Sequence, residues 1–464
     1  MTGQEKSVSE SISEFVHNFP SNNIPNKIVE HAKLCILDAV GIAFASRTYD
    51  FSKSVLQTMS ELGGGGNSPV IGQAETLPLR DAVFCNAALI HGLDYDDTHL
   101  DSVVHCSASH WPVAFNLGIA TRQSGIDILT AYILGIEVTA RIGIVTEGQL
   151  QKNGHHPTGV IGAFGCVVTA SYLSKLNPSQ ITNAIGIVLS MASGNMEFVS
   201  EGAWTKRIHP SWAAVAGITA VALAKNDFVG PKKALEGKYG LFNILLGQNE
   251  KNRITQLVKT LGEDWETLGS AIKPYPACHF NHAFADCALE IKKENNLQLE
   301  SITKIIALVH KDQVPIVCEP EDQKRKPNTP YEAQFSIPYI VAAVLVHGRF
   351  TLKELTPTAL KNRKVSSLCS KIHYSITERS YYPKSFSGAL VVETSNGKQY
   401  EKTIKYNRGS KENPLTKAEI KEKFLTNCSL SITPHASEQV YKELSKLDVA
   451  TDASSLAKSL SYQK

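Results

Sequence analysis

Val160–Lys175, VIGAFGCVVTASYLSK, and Ser211–Lys225, SWAAVAGITAVALAK, decide how the first half of this chain folds. Both read as helices, and both are crowded with glycine and alanine. Small residues let helix axes approach closely, so the pair predicts a compact helical bundle and not a loose array. Their apolar cores, Val160–Tyr172 and Trp212–Ala224, are too short to span a bilayer, and each contains glycine. Working outward, Ile28, Ala32, Cys35, Ile36 and Ala39 fall at helical spacing just after Pro25. Ala82–Leu93 and Ile126–Arg141 continue the pattern. Glu137 and Arg141, four apart, are placed to pair across one turn.

The character changes near Lys273. Ser301–His310 is rich in isoleucine, valine and leucine and reads as a strand; Lys371–Thr377 alternates. Leu390–Thr394 and Tyr400–Lys405 flank Asn396-Gly397, a hairpin turn signal because both residues tolerate positive φ. A helix is expected at Phe335–His347. After Pro414 helices return, with Thr416 and Glu419 spaced as a capping box. The expected fold is therefore mainly α. A large all-helical domain is formed by both chain ends, 1–267 and 405–464, and a smaller α+β domain is inserted at 268–404.

Bulk properties exclude several classes. The 464 residues are 42% hydrophobic and 20% charged, a globular balance. A net charge of +3 is too small for a nucleic-acid protein, which needs a strong basic stripe. The nine cysteines are scattered, odd in number and free of any CxxC pair, which argues against a disulfide framework or a zinc ribbon. The N-terminal MTGQEKSVSESISEF lacks an apolar signal core and any arginine, so a cytoplasmic protein that does not enter the membrane is expected. The run Gly63–Gly66 has no following Lys-Ser/Thr and is not read as a phosphate loop.

Four polar clusters carry the candidate chemistry. The first is HGLDYDDTHLDSVVH, His91–His105. If the preceding helix continues, His91, Asp94 and Thr98 share a face, and Asp96, Asp97 and His99 point elsewhere. Acids, a hydroxyl and histidines in so few residues suit proton transfer. A solvated helix end would account for the same residues without chemistry. Metal binding is a further reading, but the spacing matches no metal signature, and no metal is expected. The remaining clusters are NGHHPTG (Asn153–Gly159), TKRIHPS (Thr205–Ser211) and KPYPACHFNH (Lys273–His282). Each stands before an expected helix start, marked by Pro157, Pro210 and Asn281; His105 likewise precedes Pro112. Helix N-termini offer unpaired N–H groups and partial positive charge, so with Lys206, Arg207, Lys273 and several histidines they suit a small polycarboxylate. Cys106 beside His105 and Cys278 beside His279 are set aside as nucleophiles, because sequence neighbours rarely face one another.

These segments resemble a known family. IPNKIVEHAKLCILDAVGIAFAS, LDYDDTH, ILGIEVTARIG, GHHPTG, EGAWTKRIHPSWAAVAG, GPKKALEGKYG, KPYPACHFNHAFADCAL, EAQFSIPYIVA and GSKENPLTKAEIKEKF look like successive blocks of the MmgE/PrpD family, in order along nearly the whole chain. The resemblance implies an all-helical domain, an α+β lid with the site between them, a homodimer, and turnover without metal or organic cofactor. It implies a lyase acting on a di- or tricarboxylate. Dehydration of a 2-methylcitrate-like substrate is the first expectation and cis-aconitate decarboxylation the second. The family also accommodates epimerisation of a small dicarboxylate, and a non-catalytic homologue that only binds carboxylates.

Carried over position by position, Asp94, Thr98, His105, Lys206, Lys273 and Tyr339 would be catalytic. His156, Arg207 and His279 would bind substrate. Two departures bear on the reaction and not on the family. Some decarboxylase members carry histidine five residues after the KPYP-type lysine, where Cys278 stands here. The loop HCSASHWP also lacks the proline that often follows its histidine.

Overall fold

The computed structural model describes residues 6–247 and 250–461; the first five residues of the N-terminal segment considered above lie outside them. Fifty-nine per cent of the structure is helical and its sheets are small, so the fold is mainly α. The described residues up to Ala271, together with those from Thr416 onward, form one compact unit; Ile272–Leu415 form another.

In the first unit the helices Pro157–Leu173 and His209–Lys225 pack on each other. Gly125–Thr146 and Cys106–Ala120 pack on the first of these. Leu79–His91 packs on the second and on Cys106–Ala120. The glycines are there for closeness. A Cβ on Gly165 would lie 1.8 Å from Thr139 Oγ1, and one on Gly217 would lie 2.4 Å from Cys166 Cβ. Larger residues would push the helices apart.

Gly125–Thr146 is longer than the sequence pattern suggested, because Ser124 caps its start and Glu147, at φ 46°, ends it. By length and composition alone its 22 residues could cross a membrane, but 94% of its apolar window is buried within the protein. It also carries the Glu137–Arg141 pair. Arg141 Nη1 donates to Glu137 Oε2 at 2.6 Å. The other carboxylate oxygen accepts from Thr267 N at 2.8 Å and Thr267 Oγ1 at 2.6 Å. The remaining guanidinium N–H groups reach the carbonyls of Leu257 and Asp264.

Three elements near the first cluster differ from the sequence expectation. The helix ends at His91 and does not continue through Thr98. Asp94 then adopts φ +50°, a left-handed conformation that reverses the chain, and Thr98–His99 pair as a short strand with Ser270–Ala271. The next helix starts at Cys106 with His105 as its N-cap residue, so Pro112 lies inside it.

The second unit is built on a four-stranded sheet. Ile302–Val309 is flanked by Ile372–Ile376, parallel, and by Gly388–Thr394, antiparallel; Gln399–Ile404 completes the sheet. Gly397, at φ 79°, makes the hairpin turn. The helices His282–Asn295 and Ile337–His347 pack on each other, and the first also covers the sheet. Segment 405–415, read from sequence as part of the helical domain, belongs to this unit. Arg408 N–H donates to Asp286, Asn407 bonds His279, and Ile272 N–H donates to the Gly409 carbonyl.

Candidate active site

Within the first unit, the beginnings of three helices and the end of a fourth bring buried polar side chains together. His91 closes the helix Leu79–His91, and His105 and His156 are the N-cap residues of Cys106–Ala120 and Pro157–Leu173. His209 opens His209–Lys225, directly after the 3-10 turn Trp204–Ile208 that holds Lys206 and Arg207. The ring centroids of His91 and His105 are 4.6 Å apart; those of His156 and His209 are 4.9 Å apart. His91 and His156 stack at 6.0 Å.

The hydrogen bonds fix which nitrogen does what. His105 Nδ1 lies 3.1 Å from the Asp97 carbonyl. A carbonyl only accepts, so Nδ1 carries the proton and Nε2 is the nitrogen that can exchange one. Thr98 Oγ1 is 3.3 Å and Asp96 Oδ2 3.5 Å from the same Nδ1. The His105 backbone N–H donates to Thr158 Oγ1, which anchors the residue independently of its ring. His91 Nδ1 meets Asp96 Oδ2 at 2.9 Å, which leaves His91 Nε2 buried with no hydrogen-bond partner among the described residues. His156 and His209 share one hydrogen between their Nδ1 atoms at 2.9 Å.

Charge is paired with equal care. Lys206 Nζ lies 2.9 Å from Asp94 Oδ2, and both side chains are buried. Burial, then the neighbouring His209 and Lys206, holds His156 well below the usual histidine range. Burial first, then His91 and Lys206, brings His209 down to about 4. Burial pushes Asp97 up to about 7 against the pull of its bond from Ser107. The site thus combines neutral imidazoles with one buried lysine–aspartate pair, at the positive ends of three helices.

Of the residues singled out in the sequence, Asp94, Thr98, His105, His156 and Lys206 are brought together here. Arg207 is near but differently engaged. Its Nε donates to the Gly92 carbonyl at 2.9 Å and its guanidinium lies over Phe51 and Trp204, so it clamps the 3-10 turn to the loop. Lys273, His279 and Tyr339 belong to the second unit. Lys273 is fully buried. His279 Nε2 accepts from Asn407 at 2.8 Å and its ring stacks on His282. The Tyr339 hydroxyl donates to the Glu354 carbonyl at 2.6 Å, the kind of backbone partner a core tyrosine finds. Burial pushes the Cys106 thiol well above its ordinary value, which speaks against a thiolate there.

The sequence puts His91 on a face with Asp94 and Thr98 but assigns it no role, and it singles out neither Asp96 nor His209. All stand inside the polar clusters. Asp96 was turned away by assuming a continuous helix. Because the helix stops at His91 and the chain reverses at Asp94, Asp96 swings back onto His91. The signal that would have found it is the His-Gly pair, since glycine commonly follows a helix end.

Comparison with known proteins agrees along the whole length. The family model of the MmgE/PrpD N-terminal domain matches residues 10–254 and that of the C-terminal domain matches 275–447. The chain is 24% identical to the cis-aconitate decarboxylase-like protein oryM of Aspergillus oryzae, covering 97% of each chain. It is 26% identical to the cis-aconitate decarboxylase of Homo sapiens, covering 97% of this chain and 94% of that one. It is also 26% identical to the cis-aconitate decarboxylase of Aspergillus terreus, covering 96% and 93%. With both family domains matched in order, this chain belongs to the MmgE/PrpD family.

Proposed function

We propose that this protein is a lyase that removes carbon dioxide from a small unsaturated tricarboxylate, with cis-aconitate as the first substrate to test. The observation that carries the reading is the His105 tautomer. Its Nδ1–H is committed to the Asp97 carbonyl, so Nε2 is the nitrogen left to exchange a proton, and one His105 ring nitrogen lies within 4.8 Å of a carboxylate oxygen of Asp94, the partner of Lys206. The relatives named cis-aconitate decarboxylases, matched over almost their full length, support putting decarboxylation ahead of the dehydration first expected.

The chemistry follows from where charge can go. A carboxylate lost directly from an alkene carbon would leave a vinyl anion with no delocalisation. The carboxylate on the saturated methylene leaves more easily. Its bonding pair becomes a new C=C bond, and the old double bond shifts its electrons onto the carbon next to a retained carboxylate. Lys206 stabilises the resulting dienolate by holding that carboxylate, which competes with Asp94 for Nζ. The protonated His105 delivers the Nε2 proton to the carbanionic carbon and regains one from solvent. General acid catalysis of this kind contributes about 100- to 10,000-fold. His156, kept neutral beside His209, orients a second carboxylate without adding charge.

The test is NMR of the purified protein with cis-aconitate, citrate and 2-methylcitrate in D2O. The expected product is itaconate with one deuterium in its saturated methylene. Loss of water from citrate or 2-methylcitrate would move the assignment to a hydro-lyase. No turnover, with a ligand-dependent rise in melting temperature, would make the chain a binding homologue.

A further inference from the structure

We propose that His91, His105 and His156 form a binding site for a divalent transition-metal ion of the zinc class, and that the ion, once bound, occupies the nitrogens needed for proton transfer. One ligand atom from each of the three buried histidines lies within 4.8 Å of the others. Each ring already has its Nδ1 engaged by a different group: His91 by Asp96 Oδ2, His105 by the Asp97 carbonyl, His156 by His209 Nδ1. That is the arrangement found around metal-bound histidines, where a carboxylate, a carbonyl or another acceptor holds the far N–H and turns the second nitrogen toward the ion. His91 gives the independent sign. Its Nε2 is fully buried and has no hydrogen-bond partner among the described residues, an arrangement that loses solvation unless something binds there.

Size and ligand chemistry agree. Zinc–nitrogen bonds of about 2.0–2.1 Å in a tetrahedron put ligand nitrogens about 3.3 Å apart, so roughly an ångström of ring movement closes the trio. Three imidazoles with one open position suit zinc, cobalt or copper better than magnesium or calcium, which prefer oxygen. Asp94 and Asp96 also stand beside His105, each offering a carboxylate oxygen within 4.8 Å of a His105 nitrogen. Asp94 is paired with Lys206, and Asp96 Oδ2 reaches both the His91 and the His105 rings. The sequence hid this site because its ligands come from three separate helix ends and match no linear metal signature. The ion is not one that turnover requires; it binds where the reaction needs a nitrogen that can exchange its proton. The inhibitory half of the proposal rests on the proposed role of His105, while the binding half does not.

The experiment uses the full chain, stripped with a chelator and titrated with Co2+ as an optical probe. One equivalent should give the visible bands of a four-coordinate nitrogen site, and Zn2+ should displace it. H91N and H156N should each weaken Co2+ by at least about 100-fold, and D96N, which leaves all three ligand rings in place but removes the carboxylate behind His91 and beside His105, by about 10- to 100-fold. Circular dichroism melts check that the variants fold. If H91N does not, X-ray absorption of the zinc-loaded wild type decides, with a shell of nitrogens expected. Sulfur in that shell, pointing to one of the nine cysteines, would overturn the site. So would the absence of a stoichiometric Co2+ spectrum, or an H91N affinity equal to wild type. With cis-aconitate, zinc should inhibit at the concentration at which it binds, reversibly with EDTA; binding without inhibition would overturn the inhibitory half. A chain that decarboxylates but takes up no metal sinks the site alone, and a chain that takes up metal but turns over no tricarboxylate sinks only the functional reading.

Discussion

Replacing His105 with glutamine separates chemistry from stability, because the two costs have different sizes. The backbone N–H of residue 105 keeps its bond to Thr158 Oγ1, so the start of the 106–120 helix stays anchored. What is lost from the fold is the Nδ1–H bond to the buried Asp97 carbonyl and the edge contact of the ring with His91. An unsatisfied buried carbonyl costs about 1–3 kcal/mol, against a typical domain stability of about 5–15 kcal/mol, so the variant folds. The barrier suffers more. A glutamine amide cannot deliver and regain a proton near neutral pH, and a loss of about 100- to 10,000-fold in turnover corresponds to about 2.7–5.4 kcal/mol. The assay measures kcat by itaconate formation at saturating cis-aconitate, beside a urea melt of the same preparation. A kcat within about threefold of wild type, under about 0.7 kcal/mol of barrier, would remove His105 from the reaction. A large fall in kcat together with loss of the cooperative melt would show instead that the residue is structural.

Three further outcomes test different parts of the molecule. Glu137→Ala leaves Arg141 charged and buried and removes the acceptor of both Thr267 bonds; a stability loss of about 3–5 kcal/mol is expected in urea unfolding, and one below about 1 kcal/mol would mean water replaces the carboxylate. His209 and His110 are each held down to about 4 by burial, below the ordinary 6.5, so between those values the unfolded chain binds more protons than the folded one. Stability should therefore fall as pH drops from about 6.5 toward 4; a urea midpoint that stays flat over that window, or a His209→Asn variant with the same slope as wild type, would contradict the burial of these rings as neutral groups. Lys206→Met should lower kcat/KM by about 10- to 150-fold, the worth of a charge-assisted hydrogen bond of about 1.5–3 kcal/mol, and an unchanged kcat/KM would take the substrate carboxylate away from this side chain.

What could be read from the sequence depended on whether a signal was local. The helices 157–173 and 209–225 were legible because proline sits at or next to their first residue and small residues recur inside them. The Asn396-Gly397 hairpin was legible for the same reason, since the turn geometry is written in two adjacent residues. The capping box of Thr416 and Glu419 also formed as spaced. The errors came where distant contacts outweighed local pattern. Pro112 looked like a helix start, but the helix already begins at Cys106, where the loop from Asp94 to His105 is folded back and tied by Asp97 and Thr158. Asp94 at positive φ has no glycine to announce it. Its conformation is sustained by the bond of its own N–H to the His91 carbonyl and by the ion pair to Lys206, more than a hundred residues away.

That reversal is also what makes the site. Had the helix run on through Thr98, His91, Asp94 and Thr98 would share one helix face with Asp96 on another, and the Asp96 carboxylate would not reach the His91 ring. Because the chain turns at Asp94, one carboxylate pairs Lys206 and another fixes the His91 ring, while the Asp97 carbonyl fixes that of His105. A local strain of about 1–3 kcal/mol at a single residue thus orients two imidazoles and one ammonium group. Asp94→Gly separates the contributions: glycine accepts the backbone angle without strain but removes the carboxylate. If the turn alone mattered, that variant would keep its activity; if the Lys206 pair matters as well, it loses activity even though it folds.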